Sequence, residues 1–193
     1  MSEPAEELTP TINISGVQAA DINVTRNDAA QSKVIQYGSC SSYSHAILAL
    51  GDGMCIEATG AGVDVEHLHT ALDNSTYGAL YRHESIDANL ASWVCHFAEK
   101  EQGKPYDYGG AIRSGVSTGC SGVKYLPTGI FIQLADEVAK LGKHDKSFFC
   151  SELIVYAYEE AGLDIIRGGS QMASPGAIAK SPYLKYIKDV ATV

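Results

Sequence analysis

The stretch Ser147 to Leu163, "SFFCSELIVYAYEEAGL", decides the fold, because it has the spacing of an amphipathic helix and sets a cysteine in or near the first turn. On a helix beginning near Ser147, residues Cys150, Leu153, Ile154, Ala157 and Ala161 fall on one face by the i, i+3, i+4 rule. Ser147 or Asp145 is available as N-cap and Gly162 as terminator. A cysteine on the packing face is what a bland core would also contain, since free cysteines are among the most buried residues. The first-turn position adds something else: the partial positive charge of the helix start, which stabilises a thiolate. A nucleophile also needs a base, so the histidines carry the next step.

Of the six histidines, His67 and His69 sit at a strand end or loop, His83 and His144 in polar surroundings, and His96 inside a second amphipathic segment. Surface or capping roles suit these five. "HLH" offers alternating ligands on one strand face, but no third or fourth ligand follows at metal-site spacing, so no metal is expected. His45 differs, because it opens an apolar strand, "HAILAL", where a buried ring needs a polar partner. Gly51-Asp52-Gly53 fits a tight hairpin turn, glycine supplying positive φ without steric cost. In a hairpin centred on Asp52, Glu57 lies opposite Ile47 and shares the face of His45. A carboxylate there can orient the imidazole and stabilise its charged form. A register slip of one residue breaks the pairing.

Other polar residues near these motifs have weaker claims. Tyr43, two residues before His45 on the same strand, is placed to line a site or donate to an oxyanion, and equally to pack. Tyr106 and Tyr108 of "PYDY" are candidates for a cleft wall. Glu152 sits about 200° around the helix from Cys150, which favours capping over chemistry.

Around these motifs, residues 1–30 are acidic, with Pro4 and Pro10, and only "TINISGV" alternates; they are expected to form an extended lead-in with one edge strand. "KVIQYG", "SSYSHAILALGDGMCIEATG" and "GVDVEHL" predict strands in an antiparallel meander. "IDANLASWVCHFAEKEQG" predicts a helix with Leu90, Trp93, Val94, Phe97 and Ala98 at helical spacing and Gly103 beyond its end. "GKPYDYGGAIRSGVSTGCSGVKYLPTG" predicts a long loop, expected to cover or shape a cleft. "GIFIQLADEVAKLG" follows as a helical segment, and "SPGAIAKSPYLKYIKDV" as a turn leading into a strand or helix.

Composition narrows the functional classes. With 193 residues, 45% of them hydrophobic and 19% charged, the chain is expected to be one globular domain over residues 31–193 after the lead-in. A net charge of −9 with no concentrated basic face excludes nucleic acid as a natural partner and disfavours anionic membranes. Cys40, Cys55, Cys95, Cys120 and Cys150 are odd in number and form no CxxC pair, so free thiols are expected, with neither a disulfide framework nor a zinc ribbon. "MSEPAEELTP" lacks the basic and apolar regions of a secretory signal, and no apolar run nears the roughly 20 residues that span a bilayer. A cytosolic product is expected, with signal-independent export left open.

Taken together, "SHAILALGDGMCIEATGAGV" and, some ninety residues later, "FFCSELIVYAYEEAGL" resemble the permuted branch of the NlpC/P60 papain-like superfamily, the YaeF/YiiX-like group. "GKPYDY" and "ASPGAIAKSPYL" extend the resemblance over roughly residues 33–190. It implies an α+β fold in which the histidine strand precedes the cysteine helix and an antiparallel sheet packs against helices. It makes Cys150 the nucleophile, His45 the general base and Glu57 the orienting residue, without a cofactor. The implied activity is acyl-enzyme hydrolysis of an amide in a peptide or cell-wall peptide; lipid esterase or acyltransferase chemistry is the alternative. A cell-wall target would suit a toxin-like effector with an inhibitor or immunity partner. A non-catalytic binding module of the same fold is the contrasting reading, against which the intact Cys, His and Glu set argues.

Overall fold

The computed structural model describes residues 10–27, 36, 41–107, 109–110, 147–169 and 173–193. "KVIQYG" apart from Gln36, Tyr108, Cys40, Cys120, His144, the "GIFIQLADEVAKLG" helix and the loop beyond residue 110 lie outside them.

Among the described residues, strands β1 (Thr11–Ile12), β2 (Ile22–Arg26), β3 (His45–Gly51), β4 (Met54–Thr59), β5 (Gly62–His67), β6 (Tyr77–His83) and β7 (Leu184–Thr192) form one sheet in the order β1-β7-β6-β2-β3-β4-β5. Every neighbouring pair is antiparallel. Four helices accompany them: α1 (Leu68–Leu72), α2 (Ala88–Glu99), α3 (Cys150–Glu160) and α4 (Pro175–Ala179). The protein is therefore α+β with an antiparallel sheet packed on helices, as expected.

Side-chain alternation divides the core between the two sheet faces. Ile22, Val24, Ala46, Leu48, Ile56, Ala58 and Ala79 meet α2 and α3 through Val94, Cys95, Leu153, Ile154 and Tyr158. Ile47, Cys55, Leu80 and Val190 point the other way, against Leu68 and Leu72 of α1. The meander over β3, β4 and β5 is the expected one, and its first turn runs through positive φ at Gly51, Asp52 and Gly53.

Residues 1–30 contribute more than an edge strand. β2 lies between β6 and β3 and buries Ile22, Asn23, Val24 and Thr25, so this part of the lead-in expectation is corrected. Polar Asn23, Thr25 and Arg26 hide the strand in the sequence, because a strand buried on both faces loses clean alternation. β6 carries no strand signal in the sequence either, because "YGALYRH" mixes glycine and charge among its apolar residues.

The second amphipathic segment is a helix, yet its buried face is rotated from the expected one. Ala91, Val94, Cys95 and Ala98 are buried, whereas Trp93 is 56% exposed and stacks on Phe97. The small residues let α2 approach the sheet closely enough for the Cys95 thiol to lie 3.7 Å from the Ala49 carbonyl oxygen. "SPGAIAKSPYLKYIKDV" resolves into both of its alternatives: Ser174 caps α4 by accepting from the Ala177 N–H, and β7 follows. Gly176 lies so near the chain before β3 that a Cβ there would meet Ser41 Cβ at 2.4 Å.

Candidate active site

The cysteine helix begins later than its sequence suggests. Phe148 is held extended by a bridge to Tyr106: the Asp107 N–H donates to the Phe148 carbonyl at 3.0 Å, and the Phe148 N–H donates to the Pro105 carbonyl at 3.2 Å. Phe149 is consequently the N-cap residue, in place of Ser147 or Asp145, and Cys150 is the first helical residue. Glu152 reaches back to the Phe149 N–H at 3.4 Å, the capping role anticipated for it. At the other end, Gly162 takes positive φ and the Leu163 N–H closes onto the Tyr158 carbonyl at 2.9 Å, a Schellman arrangement.

This start places Cys150 where first-turn N–H groups lack intrahelical acceptors. Its thiol is 1% exposed, and Leu153, Ile154, Ala157 and Tyr158 behind it are wholly buried. At about 1.5–3 kcal/mol for each large apolar side chain buried, the helix is seated firmly. The Tyr158 hydroxyl also donates to the Ala20 carbonyl, tying the helix to the chain entering β2.

The hairpin register is the expected one near the site. Leu48 pairs with Ile56 and Ala49 with Cys55, which continues to Glu57 opposite Ile47; the bulge between Ala49 and Gly51 is confined to the turn. His45 and Glu57 therefore share a face, and His45 Nε2 lies 2.5 Å from Glu57 Oε2. Glu57 is nearly buried, and His45 is half-buried with 23% of its side chain exposed. The Cys150 thiol is in hydrogen-bonding contact with the same imidazole. With Nε2 taken by Glu57, Nδ1 is the ring nitrogen left for sulfur.

The charges agree with this geometry. Burial pulls the His45 ring toward neutrality, but the negative charge and hydrogen bond of Cys150, followed by those of Glu57, overcome it and push the imidazolium up to about 10. Burial opposes ionisation of Glu57, yet His45 as donor and as positive charge holds it below its ordinary value. A neighbour that sequence reasoning passed over, Glu66, also hydrogen-bonds Glu57. The other buried thiol facing this region, Cys55, is pushed up to about 12, by burial first and then by the charges of Glu57 and Glu66.

The remaining candidates separate. Tyr106 is next to the site through its bridge to Phe148, two residues before Cys150. Tyr43 turns toward other tyrosines: its ring is 6.1 Å from Tyr77, and it hydrogen-bonds Tyr81. His67 ends β5 whereas His69 belongs to α1 and meets Asp73 at 3.2 Å, so the two do not alternate on one strand face; the chain turns into a helix between them. His83 is buried, corrected from a surface role, with Nδ1 accepting from the Ser85 N–H at 3.1 Å and Nε2 3.2 Å from the Asp164 carbonyl. Among the described residues, no group of three or more His, Cys, Asp or Glu side chains is arranged to hold a metal ion, and no helix is long and apolar enough to cross a membrane.

The fold and site thus define an α+β protein in which a helix-start cysteine, a strand histidine and a buried glutamate converge. Comparison with known proteins places it beside the YaeF/YiiX-like group that its motifs resemble. The chain is 26% identical over 190 residues to the probable lipoprotein peptidase YaeF of Escherichia coli strain K12, the match covering 88% of this chain and 65% of that protein. It spans less than two thirds of that relative's length. In fold it is similar to the crystal structure of metalloprotein YiiX from Escherichia coli O157:H7, with a TM-score of 0.62, 18% identity, and coverage of 89% of this chain and 96% of the other. No protein-family model matches.

Proposed function

We propose that this protein is a cysteine-nucleophile hydrolase of the permuted papain-like (NlpC/P60) fold, acting through an acyl-enzyme on an amide bond. The observation that carries the proposal is the shared imidazole: His45 bonds Glu57 at 2.5 Å through Nε2 and meets the Cys150 thiol at the start of α3. An isolated core cysteine needs neither neighbour.

In the mechanism that follows, the Cys150 thiolate attacks the carbonyl carbon, and His45, held charged by its two partners, donates its proton to the departing amine. The carbon–nitrogen bond breaks and a thioester remains. A water molecule then gives one proton to neutral His45 and adds to the thioester; the carbon–sulfur bond breaks, releasing acid and restoring the ion pair. Glu57 keeps the ring aligned through both steps without taking the proton. The backbone N–H of Cys150, the first helical residue of α3, is the donor proposed for the developing oxyanion. Tyr106, bridged to Phe148, would form a wall of the cleft. The peptidase name of YaeF favours a peptide amide over a lipid ester; cell-wall peptides are one class of peptide to test.

The test is capture of the acyl-enzyme. Mixed with an activated ester and with a panel of peptides and cell-wall fragments, the protein should gain the mass of one acyl group on Cys150, and Cys150→Ser should turn over none of the amides. Peptide cleavage that survives Cys150→Ser would overturn the proposal.

A further inference from the structure

Glu66 lies outside the three residues the mechanism uses, yet the sheet delivers it to them. In the pairing of β4 with β5, Glu57 is opposite Asp64 and Cys55 is opposite Glu66. Glu66 is therefore the diagonal neighbour of Glu57 on the same face, within reach of a long side chain. The two carboxyl groups are hydrogen-bonded to each other, and two carboxylates cannot share such a bond unless one of them carries a proton. His45 occupies Oε2 of Glu57 and, as a charged donor, keeps Glu57 ionised. The proton thus resides on Glu66.

We propose that Glu66 is a positioning residue that, as a carboxylic acid, donates a hydrogen bond to Glu57 and thereby holds the carboxylate that orients His45. The site becomes a chain of four groups: Glu66 acid to Glu57 carboxylate, Glu57 to the His45 ring, and the ring to Cys150. Loss of the Glu66 proton removes one donor and sets a second negative charge against Glu57, loosening its hold on the ring. The groups that act on Glu66 are Glu57 on β4, Asp64 on its own strand and His45 on β3. Its bond to Glu57 comes first, then burial and the charges of Glu57 and Asp64; against the pull of His45 they push it up to about 7. Asp64 itself is turned toward Gln102, whose amide donates to it at 3.1 Å. The positioning thus weakens across neutral pH.

This inference rests on the proposed Cys150–His45 chemistry, so its test needs a readout that separates the two. The alkylation rate of Cys150 by iodoacetamide, followed by mass spectrometry from pH 5 to 9, serves without any substrate. Wild-type protein should show an inflection near pH 7 superimposed on fast alkylation. Glu66→Gln, which keeps a donor and cannot ionise, should keep the fast rate and lose the inflection. Glu66→Ala should alkylate about tenfold more slowly than wild type below pH 7, the effect of losing one hydrogen bond to a charged group, and approach the wild-type rate above it. If His45→Ala slows alkylation while both Glu66 variants follow the wild-type profile, the role of Glu66 is refuted and the Cys150–His45 pair stands. If His45→Ala has no effect, the pair fails first, and the role of Glu66 with it.

Discussion

Replacing Glu57 by glutamine removes a negative charge from the His45 ring while leaving a side chain of the same size. The contact it weakens is the 2.5 Å one between Nε2 and Oε2, where a neutral amide oxygen replaces the carboxylate as acceptor. His45 is pushed up from an ordinary value of 6.5 to about 10, with burial working against Cys150 and then Glu57. An opposite charge at this range typically accounts for about 1–3 units. Glu57→Gln should therefore lower the His45 titration to between about 7 and 9, withdrawing about 1.4–4.1 kcal/mol of preference for the charged ring at 1.36 kcal/mol per unit. Cys150→Ser removes the stronger of the two attractions and should lower it further, toward or below 7. The assay is NMR titration of the imidazole carbons in both variants and in wild type. An unchanged titration in Glu57→Gln, or a larger drop there than in Cys150→Ser, would refute this account of the site's charge balance.

Three further outcomes concern the frame around the site. Leu153→Ala, at a wholly buried position of α3, should cost about 2–5 kcal/mol in urea unfolding; a loss below 1 kcal/mol would show that the helix is not seated as described. Gly176→Ala drives a methyl into Ser41 Cβ at 2.4 Å and should cost about 1–3 kcal/mol; Ser41→Gly in the same chain should restore most of it, and failure of that rescue would place the strain elsewhere. Because the folded value of His45 lies above its ordinary 6.5, its charged form contributes stability that is complete below 6.5 and lost as pH rises to about 10. The stability of wild type relative to His45→Gln should shrink between pH 6 and pH 10, read from urea midpoints; a gap that widens would contradict the sign.

Local pattern made part of this molecule legible in advance. The cysteine helix, the tight hairpin and the Glu57 register all follow from short-range rules, namely 3.6-residue and two-residue periodicity and a glycine turn. What was not legible depends on partners distant in sequence. The late start of α3 comes from Tyr106 holding Phe148 extended, some forty residues apart. β2 is central only because β6 and β3 close on it from either side, and its polar residues give no hint of that. Trp93 looks like a core residue by spacing, yet Ala91, Cys95 and Ala98 win the interface by being small. Glu66 was visible in "GVDVEHL" as an acid on alternate positions with Asp64, but its value lies in the diagonal to Glu57, which needs the register of the second hairpin.

Whether His45 activates Cys150 is decided by alkylation at pH 6. There an ordinary thiol of value near 8.5 is almost wholly protonated and slow to react. Wild-type Cys150 should react with iodoacetamide at pH 6 far faster than Cys55, which is buried and held up at about 12, and His45→Ala should abolish that advantage. A Cys150 that reacts at pH 6 no faster than an ordinary thiol, unchanged by His45→Ala, would contradict the account.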